Sequence, residues 1–545
     1  MPEKNQVCEL TIDKYGNSGE GIGRLDGYTL FVKGALPGER VRVIITKTNK
    51  KYGYARLLSV EEASPERVRP RCPVAKMCGG CDLQHIGYEE QLRFKTERVR
   101  ECLERIGGVA VDSSIAAPER IKTEVIGCEN PEGEYVPWYY RNKAQFPVGT
   151  DENGVPLVGF FASRSHRIIP CEHCLLQDSQ VNRMLSIVMS YLRELDREWR
   201  DEMNASGAEL SSVNGGVRDK QSGVKQNRCV TTGLVYDETT HTGWLRNIYI
   251  RRGYATNQTL ICLVVNDRLT DDYMTGAGSR YHLERLVERI GNEPGMTTVC
   301  LNENRKRTNV VMGEKIVALS GNGYIEDMVG RVRYRIAPES FYQVNPHVTK
   351  RLYEKALEYS GLTDGAKHGS GNFPSAVVWD LYCGIGTIGL FMAKYARKVI
   401  GVEVVPQAIE DARFNARING ITNAEFICGA AEEIIQGVTE SDNRHGDDDT
   451  DSNTMFINGS KETSGLDSPD IVVLDPPRKG CDEKLLTAIA TASPSRIVYV
   501  SCDPATLARD IARLAPYGYE VKKVCVVDQF WQTRHVETVC LLIRS

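Results

Sequence analysis

Beyond Phe341 the chain alternates short apolar runs with amphipathic stretches, and this rhythm constrains its fold more than any other feature of the 545 residues. Val377–Leu381, Val399–Val402, Ala424–Ile427, Ile471–Leu474, Ile497–Val500 and Val539–Ile543 each suit a buried strand, while Gln407–Asn419 and Ala505–Leu514 read as helices between them. Strands alternating with helices predict a doubly wound, Rossmann-like α/β domain over 336–545. Such sheets bind ligands in the crevice beyond the carboxyl ends of their strands, so the loops there are where chemistry is sought first.

The N-terminal part reads differently. Over residues 7–60 apolar and polar positions alternate, as in Tyr28-Thr29-Leu30-Phe31-Val32, with turns at Gly19–Gly23 and Pro37-Gly38. Short strands at this spacing predict a small OB-like β-barrel over 1–62. A central α+β domain is expected over 63–335, with a helix near 89–107 placed to pack on the C-terminal domain. Polar stretches without periodicity, at about 204–227, 364–375 and 439–469, read as loop inserts. Composition, at 41% hydrophobic and 26% charged, is that of a globular protein. No apolar run reaches the roughly 18 residues of a membrane span, and Met1–Leu10 has neither the basic start nor the apolar core of a signal peptide. A cytoplasmic protein with no membrane contact and no obligate protein partner is expected. The net charge of −4 excludes little, because acidic inserts mask local basic surfaces.

Asp380-Leu381-Tyr382-Cys383-Gly384-Ile385-Gly386-Thr387-Ile388-Gly389 passes from a strand end into a helix, and its glycines let the backbone turn tightly against a ligand. The spacing also fits a dinucleotide site. Glu403 ends the next strand, where a carboxylate can accept ribose hydroxyls of NAD or S-adenosylmethionine alike. In Asp475-Pro476-Pro477-Arg478 the prolines stiffen the loop so that Asp475 points into the crevice. Arg478 stands where enzymes methylating exocyclic amines carry an aromatic residue, which argues against such a target.

Ser501-Cys502-Asp503-Pro504 is a second strand-to-helix passage, with Asp503 as a cap and Pro504 at the first helical position. A cysteine there lies in positive potential that favours thiolate, which makes Cys502 a candidate nucleophile. Cys383 is a rival, but lies within the glycine loop. Cys72, Cys78 and Cys81, with Cys171 or Cys174, can supply four thiolates to zinc or to a cubane iron–sulfur cluster, and Gly79 and Gly80 let amides approach the sulfurs. Lys47, Lys50, Lys51 and Arg56 interleave with Tyr52 and Tyr54, pairing cations for phosphates with rings for base stacking.

These motifs together resemble the RNA uracil-5 methyltransferase family, in its 23S ribosomal-RNA branch. The resemblance is carried over nearly the whole chain by the N-terminal barrel (a TRAM domain in that family), the cysteine cluster, Ser340-Phe341-Tyr342-Gln343-Val344-Asn345, Asp380–Gly386, Asp475–Gly480, Ser501–Pro504 and His535-Val536-Glu537. It implies methyl transfer from S-adenosylmethionine to carbon 5 of a uridine. Cys502 would add covalently to carbon 6, and Glu537 would remove the carbon 5 proton. It further implies that Gln343, Tyr382, Glu403 and Asp475 contact S-adenosylmethionine. A four-iron four-sulfur cluster, rather than zinc, would sit on Cys72, Cys78, Cys81 and Cys174, in a structural or RNA-positioning role. One residue departs from the pattern: Asp503 stands where the family usually has Asn, and a carboxylate beside the sulfur disfavours thiolate. The competing readings are uracil-5 methylation of transfer RNA, an RNA-binding protein with an inactive catalytic domain, and an NAD-dependent dehydrogenase, in which Asp475-Pro476-Pro477 has no role.

Overall fold

The computed structural model describes residues 2–112, 121–129, 138–205, 232–363, 375–435 and 466–545. The three expected inserts fall almost wholly outside these residues. Strands β1 (Val7–Tyr15), β2 (Gly21–Leu25), β3 (Tyr28–Lys33), β4 (Arg40–Thr48) and β5 (Tyr52–Glu62) close into a barrel in the order β1-β2-β3-β5-β4. Alternation along each strand turns Leu10, Ile12, Leu30, Val32, Val41, Val43 and Ile45 inward to fill it. At Gly23 a Cβ would sit 2.5 Å from the Thr11 carbonyl oxygen, so only glycine fits where β1 and β2 approach.

Helix α1 (Tyr88–Arg105) follows, burying Phe94, Val99 and Leu103 along one stripe. It lies against the helix Pro504–Leu514 of the C-terminal domain. A seven-stranded sheet of mostly antiparallel strands, from β8 (Lys143–Thr150) to β14 (Lys315–Ser320), forms the central domain with the helix Ser179–Ala205 across it.

The C-terminal sheet has nine strands. They run β19 (Ala424–Cys428), β18 (Lys398–Glu403), β17 (Val377–Leu381), β20 (Ile471–Leu474), β21 (Arg496–Ser501), β23 (Glu537–Arg544), β22 (Tyr519–Val527), β7 (Ile121–Ile126) and β6 (Val111–Asp112). The order reverses direction between β17 and β20, which opens the crevice where ligands bind in such sheets. All six expected strands are present. β22 escapes the apolar-run reading because Lys522-Lys523 interrupts it at a bulge. The boundary drawn at 336 needs correcting as well: β6 and β7, placed by sequence in the central domain, complete the C-terminal sheet by parallel pairing of β7 with β22. Among the described residues no helix is long and apolar enough to cross a membrane.

Candidate active site and cysteine cavity

Pairing between β21 and β23 sets the centre of the site. Ser501 faces Thr538 across the ladder, so the next residue on one strand, Cys502, and the preceding one on the other, Glu537, meet at the same sheet edge. Asp475 arrives from the end of β20, whose pairing with β21 aligns Leu474 with Tyr499. Glu537 is 4% exposed, and burial, reinforced by Asp475 and opposed by Arg478, lifts its carboxyl well above the usual range. Burial likewise raises Asp475 to about 7.

Asp503 caps the helix Pro504–Leu514, its Oδ1 accepting from the amides of Ala505 (2.9 Å) and Thr506 (3.4 Å). Cys502 is half-buried, and its thiol is pushed up to about 11 by burial and by Glu537, with Asp475 and Asp503 adding to the rise and Arg478 opposing it. The helix amides expected to favour thiolate are spent on the Asp503 carboxylate. Because that carboxylate raises the thiol pKa, Asp503→Asn will lower it. The rising limb of kcat/KM against pH should then move toward acid by under about one unit; an unmoved limb would refute a direct influence of Asp503 on the sulfur.

The glycine loop follows β17. Tyr382 has φ +64°, Gly384 +54° and Gly386 +80°, a left-handed run that folds the loop back over the strand end. Asp380 Oδ2 accepts from the Gly389 amide at 2.7 Å, while buried Oδ1 has no hydrogen-bond partner among the described residues. Burial, with Asp475 and Glu403 nearby, raises Asp380 to about 7. Glu403 accepts from the amides of Gly384 (3.3 Å), Val404 (2.8 Å) and Val405 (3.1 Å), which fixes its carboxylate at the end of β18. Tyr382 packs against the apolar layer that contains Leu507 and Leu103. Gln343 is buried and accepts from Gln529 Nε2 at 3.2 Å; no polar contact joins it to Tyr382, Glu403 or Asp475 among the described residues. The helix Pro346–Ser360 has Asn345 at its N-cap, so Gln343 is not a cap. Cys383 is buried, its thiol donating to the Gly384 carbonyl at 3.7 Å, and burial lifts its pKa well above the ordinary value. It is a core thiol.

Asp380, Glu403, Asp475 and Glu537 thus gather around one crevice, with Arg478 as the cation acting on both Cys502 and Glu537. Such a crevice suits a cationic ligand and, with Asp380 and Asp475 raised to about 7, proton transfer. Arg478 is the candidate site residue that sequence reasoning missed. Its signal was its place three residues after Asp475, where only the missing aromatic drew notice.

The cysteines form a second site. A cavity of about 270 Å³ is lined by Cys72, Cys78, Cys81, Cys171 and Cys174 together with Arg141 and Lys143. The Gly80 amide donates to Cys78 Sγ at 3.4 Å, and a Cβ at Gly79 would sit 2.8 Å from the Phe161 carbonyl oxygen. The Cys171 thiol donates to Cys174, which holds Cys174 below and Cys171 above the ordinary thiol range. Burial raises Cys81 to about 12. Among the described residues no group of three or more His, Cys, Asp or Glu side chains is gathered as for a bound metal ion. Yet the buried Arg141 Nε has no hydrogen-bond partner among the described residues, while Lys143, which also lines the cavity, has its ammonium over the Tyr249 ring and its pKa lowered to about 7 by burial and by Arg251 and Arg141. That lining matches an anionic, thiolate-bound group.

Residues 314–545 match the family model described as tRNA (Uracil-5-)-methyltransferase, and residues 3–58 match the TRAM domain. An uncharacterized RNA methyltransferase of Clostridium acetobutylicum is 40% identical over 99% of this chain and 98% of its own length. One from Halalkalibacterium halodurans is 39% identical over 99% and 97%. Among solved structures, the Pyrococcus abyssi tRNA (uracil-54, C5)-methyltransferase, in complex with S-adenosyl-L-homocysteine, shares the fold with a TM-score of 0.62. The two are 22% identical, and the match covers 98% of this chain and 99% of that one.

Proposed function

The chain belongs to the RNA uracil-5-methyltransferase family, whose methyl donor is S-adenosylmethionine, and from that premise we propose that Cys502 is its nucleophile, Glu537 its base and 23S ribosomal RNA its substrate. The observation that carries this reading is the meeting of Cys502 and Glu537 beside Asp475, which follows from the register of β21 against β23.

Carbon 5 of uracil is too weakly nucleophilic to take a methyl group unaided. Cys502 thiolate adds to carbon 6, and the electron pair so released makes carbon 5 enolate-like. Carbon 5 then takes the methyl carbon as its bond to the sulfonium breaks. Glu537 accepts the carbon 5 proton, the ring double bond re-forms, and the carbon–sulfur bond at carbon 6 breaks to return the thiolate. Burial holds the Glu537 carboxyl above the usual carboxylate range, which strengthens it as a proton acceptor once it is ionised. Glu403 and Asp475 would take the ribose and sulfonium portions of the donor, with Tyr382 and Gln343 as the further candidates for its pocket.

RNA capture falls to the barrel. Phe31, Tyr52 and Tyr54 cluster with ring centroids 5.6–5.8 Å apart, and the two tyrosines are exposed. Lys47 on β4, Lys50 and Lys51 in the turn after it and Arg56 on β5 put cations for phosphates beside these rings. Cys72, Cys78, Cys81 and Cys174 would hold the four-iron four-sulfur cluster, with Cys171 beside them. When bound it supplies a rigid cross-link between two segments of the chain.

The Pyrococcus abyssi enzyme named for a transfer RNA shares this fold over 98% of this chain, so the fold does not by itself separate the substrates. Transfer RNA is therefore the second reading. Nucleoside mass spectrometry on both RNAs, after incubation with S-adenosylmethionine, decides. The expected result is 5-methyluridine in 23S ribosomal RNA alone, from an anaerobic preparation carrying about four irons per chain. Methylation confined to transfer RNA would overturn the substrate, and one zinc without iron would overturn the cluster.

A further inference from the structure

Glu537 is reached through the loop 528–536, and the carbonyls of that loop are occupied by donors from elsewhere. Gln529 accepts from Asn345 Nδ2 (3.1 Å), Phe530 from Lys95 Nζ (3.1 Å), Trp531 from the Tyr140 hydroxyl (3.1 Å) and Arg534 from Arg98 Nη1 (2.9 Å). Gln532 is the most heavily tied. Its carbonyl accepts from the amides of both Asp82 and Leu83 at 3.1 Å, and its side-chain oxygen accepts from Gln91 Nε2 at 3.1 Å. Gln91 Nε2 also donates to the carbonyls of Leu83 (3.2 Å) and Ile86 (2.9 Å), binding the segment after Cys81 to the same point. Arg534 Nη1 reaches Asp82 Oδ1 at 3.3 Å. Gln532 is 5% exposed and holds φ +64°, a conformation a non-glycine residue keeps only where its surroundings impose it.

We propose that Gln532 is a positioning residue for Glu537, clamped by the Cys81–Asp82–Leu83 segment and Gln91, so that the cysteine cavity is coupled to the proton-removal step of the reaction. The geometry has the cavity wall continue directly into the clamp: Cys81 lines the cavity, and the next two amides hold the carbonyl five residues before the base. A loosened clamp lets the carboxylate of Glu537 drift from the proton it must take, while Cys502, Asp475 and Glu403 stay on other strands.

The inference depends on Glu537 being the base, and its test keeps the two apart. Full-length protein is incubated with S-adenosylmethionine and uridine-containing RNA, and the covalent methylated RNA–protein adduct is counted after denaturation. Glu537→Gln sets the reference: if it accumulates no adduct, the assignment of the base fails. Given that reference, Gln532→Gly, which suits the left-handed φ and so retains the fold, should raise the adduct at least about fivefold over the parent, with the KM for S-adenosylmethionine within about twofold. Gln91→Leu and Cys81→Ser should move the adduct the same way. The inference is overturned if these variants lose kcat without accumulating adduct, or keep parental kcat. Hydrogen exchange provides the independent check: residues 529–537 should exchange faster while 377–403 do not, and a uniform increase would mark a merely structural role.

Discussion

Replacing Cys502 with alanine should lower kcat by about 10⁴-fold or more, the size of loss seen when a covalent nucleophile is deleted and only binding remains. The thiolate is what turns carbon 5 into a nucleophile, and none of the neighbouring carboxylates can take over that addition. Serine should not restore it, because a hydroxyl in the same buried, anion-rich position is far harder to ionise than a thiol already raised to about 11. The same variant should fail to trap RNA carrying 5-fluorouridine. With the parent protein, fluorine at carbon 5 cannot leave as a proton would, so the adduct stalls and survives denaturation. S-adenosylmethionine should still bind to Cys502→Ala within about twofold of the parent, since the donor pocket lies on other strands. An adduct formed by Cys502→Ala would move the nucleophile elsewhere.

The second large effect concerns stability. Lys95 and Asp528 are both fully buried, with Nζ to Oδ1 at 2.6 Å, and Asp528 also accepts from the Tyr88 hydroxyl at 3.0 Å. Burial pulls the Lys95 pKa below its usual value while Asp528 draws it back up. Removing one member strands a charge in the interior, so Lys95→Met should cost about 3–5 kcal/mol. Lys95→Met with Asp528→Leu should cost clearly less than the two single changes summed. Denaturant midpoints for the four proteins of the cycle provide the measurement, and a single Lys95→Met loss under about 1 kcal/mol would show the pair to be structurally idle.

Much of this architecture was legible from periodicity. The barrel declared itself through alternation, because each of its strands has one face on a small apolar core and one in water. The C-terminal strands declared themselves as apolar runs, because both faces of that sheet are covered. What escaped notice lacked a local signal. β7 looks like any short strand, and nothing in Ile121–Ile126 specifies a partner in the last thirty or so residues of the chain. The Asp503 cap was readable from Asp503-Pro504, but its effect on the sulfur was not, since the outcome depends on Glu537 and Asp475 brought in by other strands. The clamp on Gln532 was equally invisible: its φ and its partners at Asp82, Leu83 and Gln91 arise only when both ends of the chain come together.

The pairing of β7 with β22 has a consequence for biosynthesis. A ribosome delivers β7 about 400 positions before the strand it must join, so the nascent chain holds an unsatisfied edge through most of translation. Any fragment that begins at 336 keeps the mirror-image problem, with β22 offering bare amides and carbonyls to the next molecule. Only the entire polypeptide carries all nine strands of that sheet, with β22 covered along its outer edge.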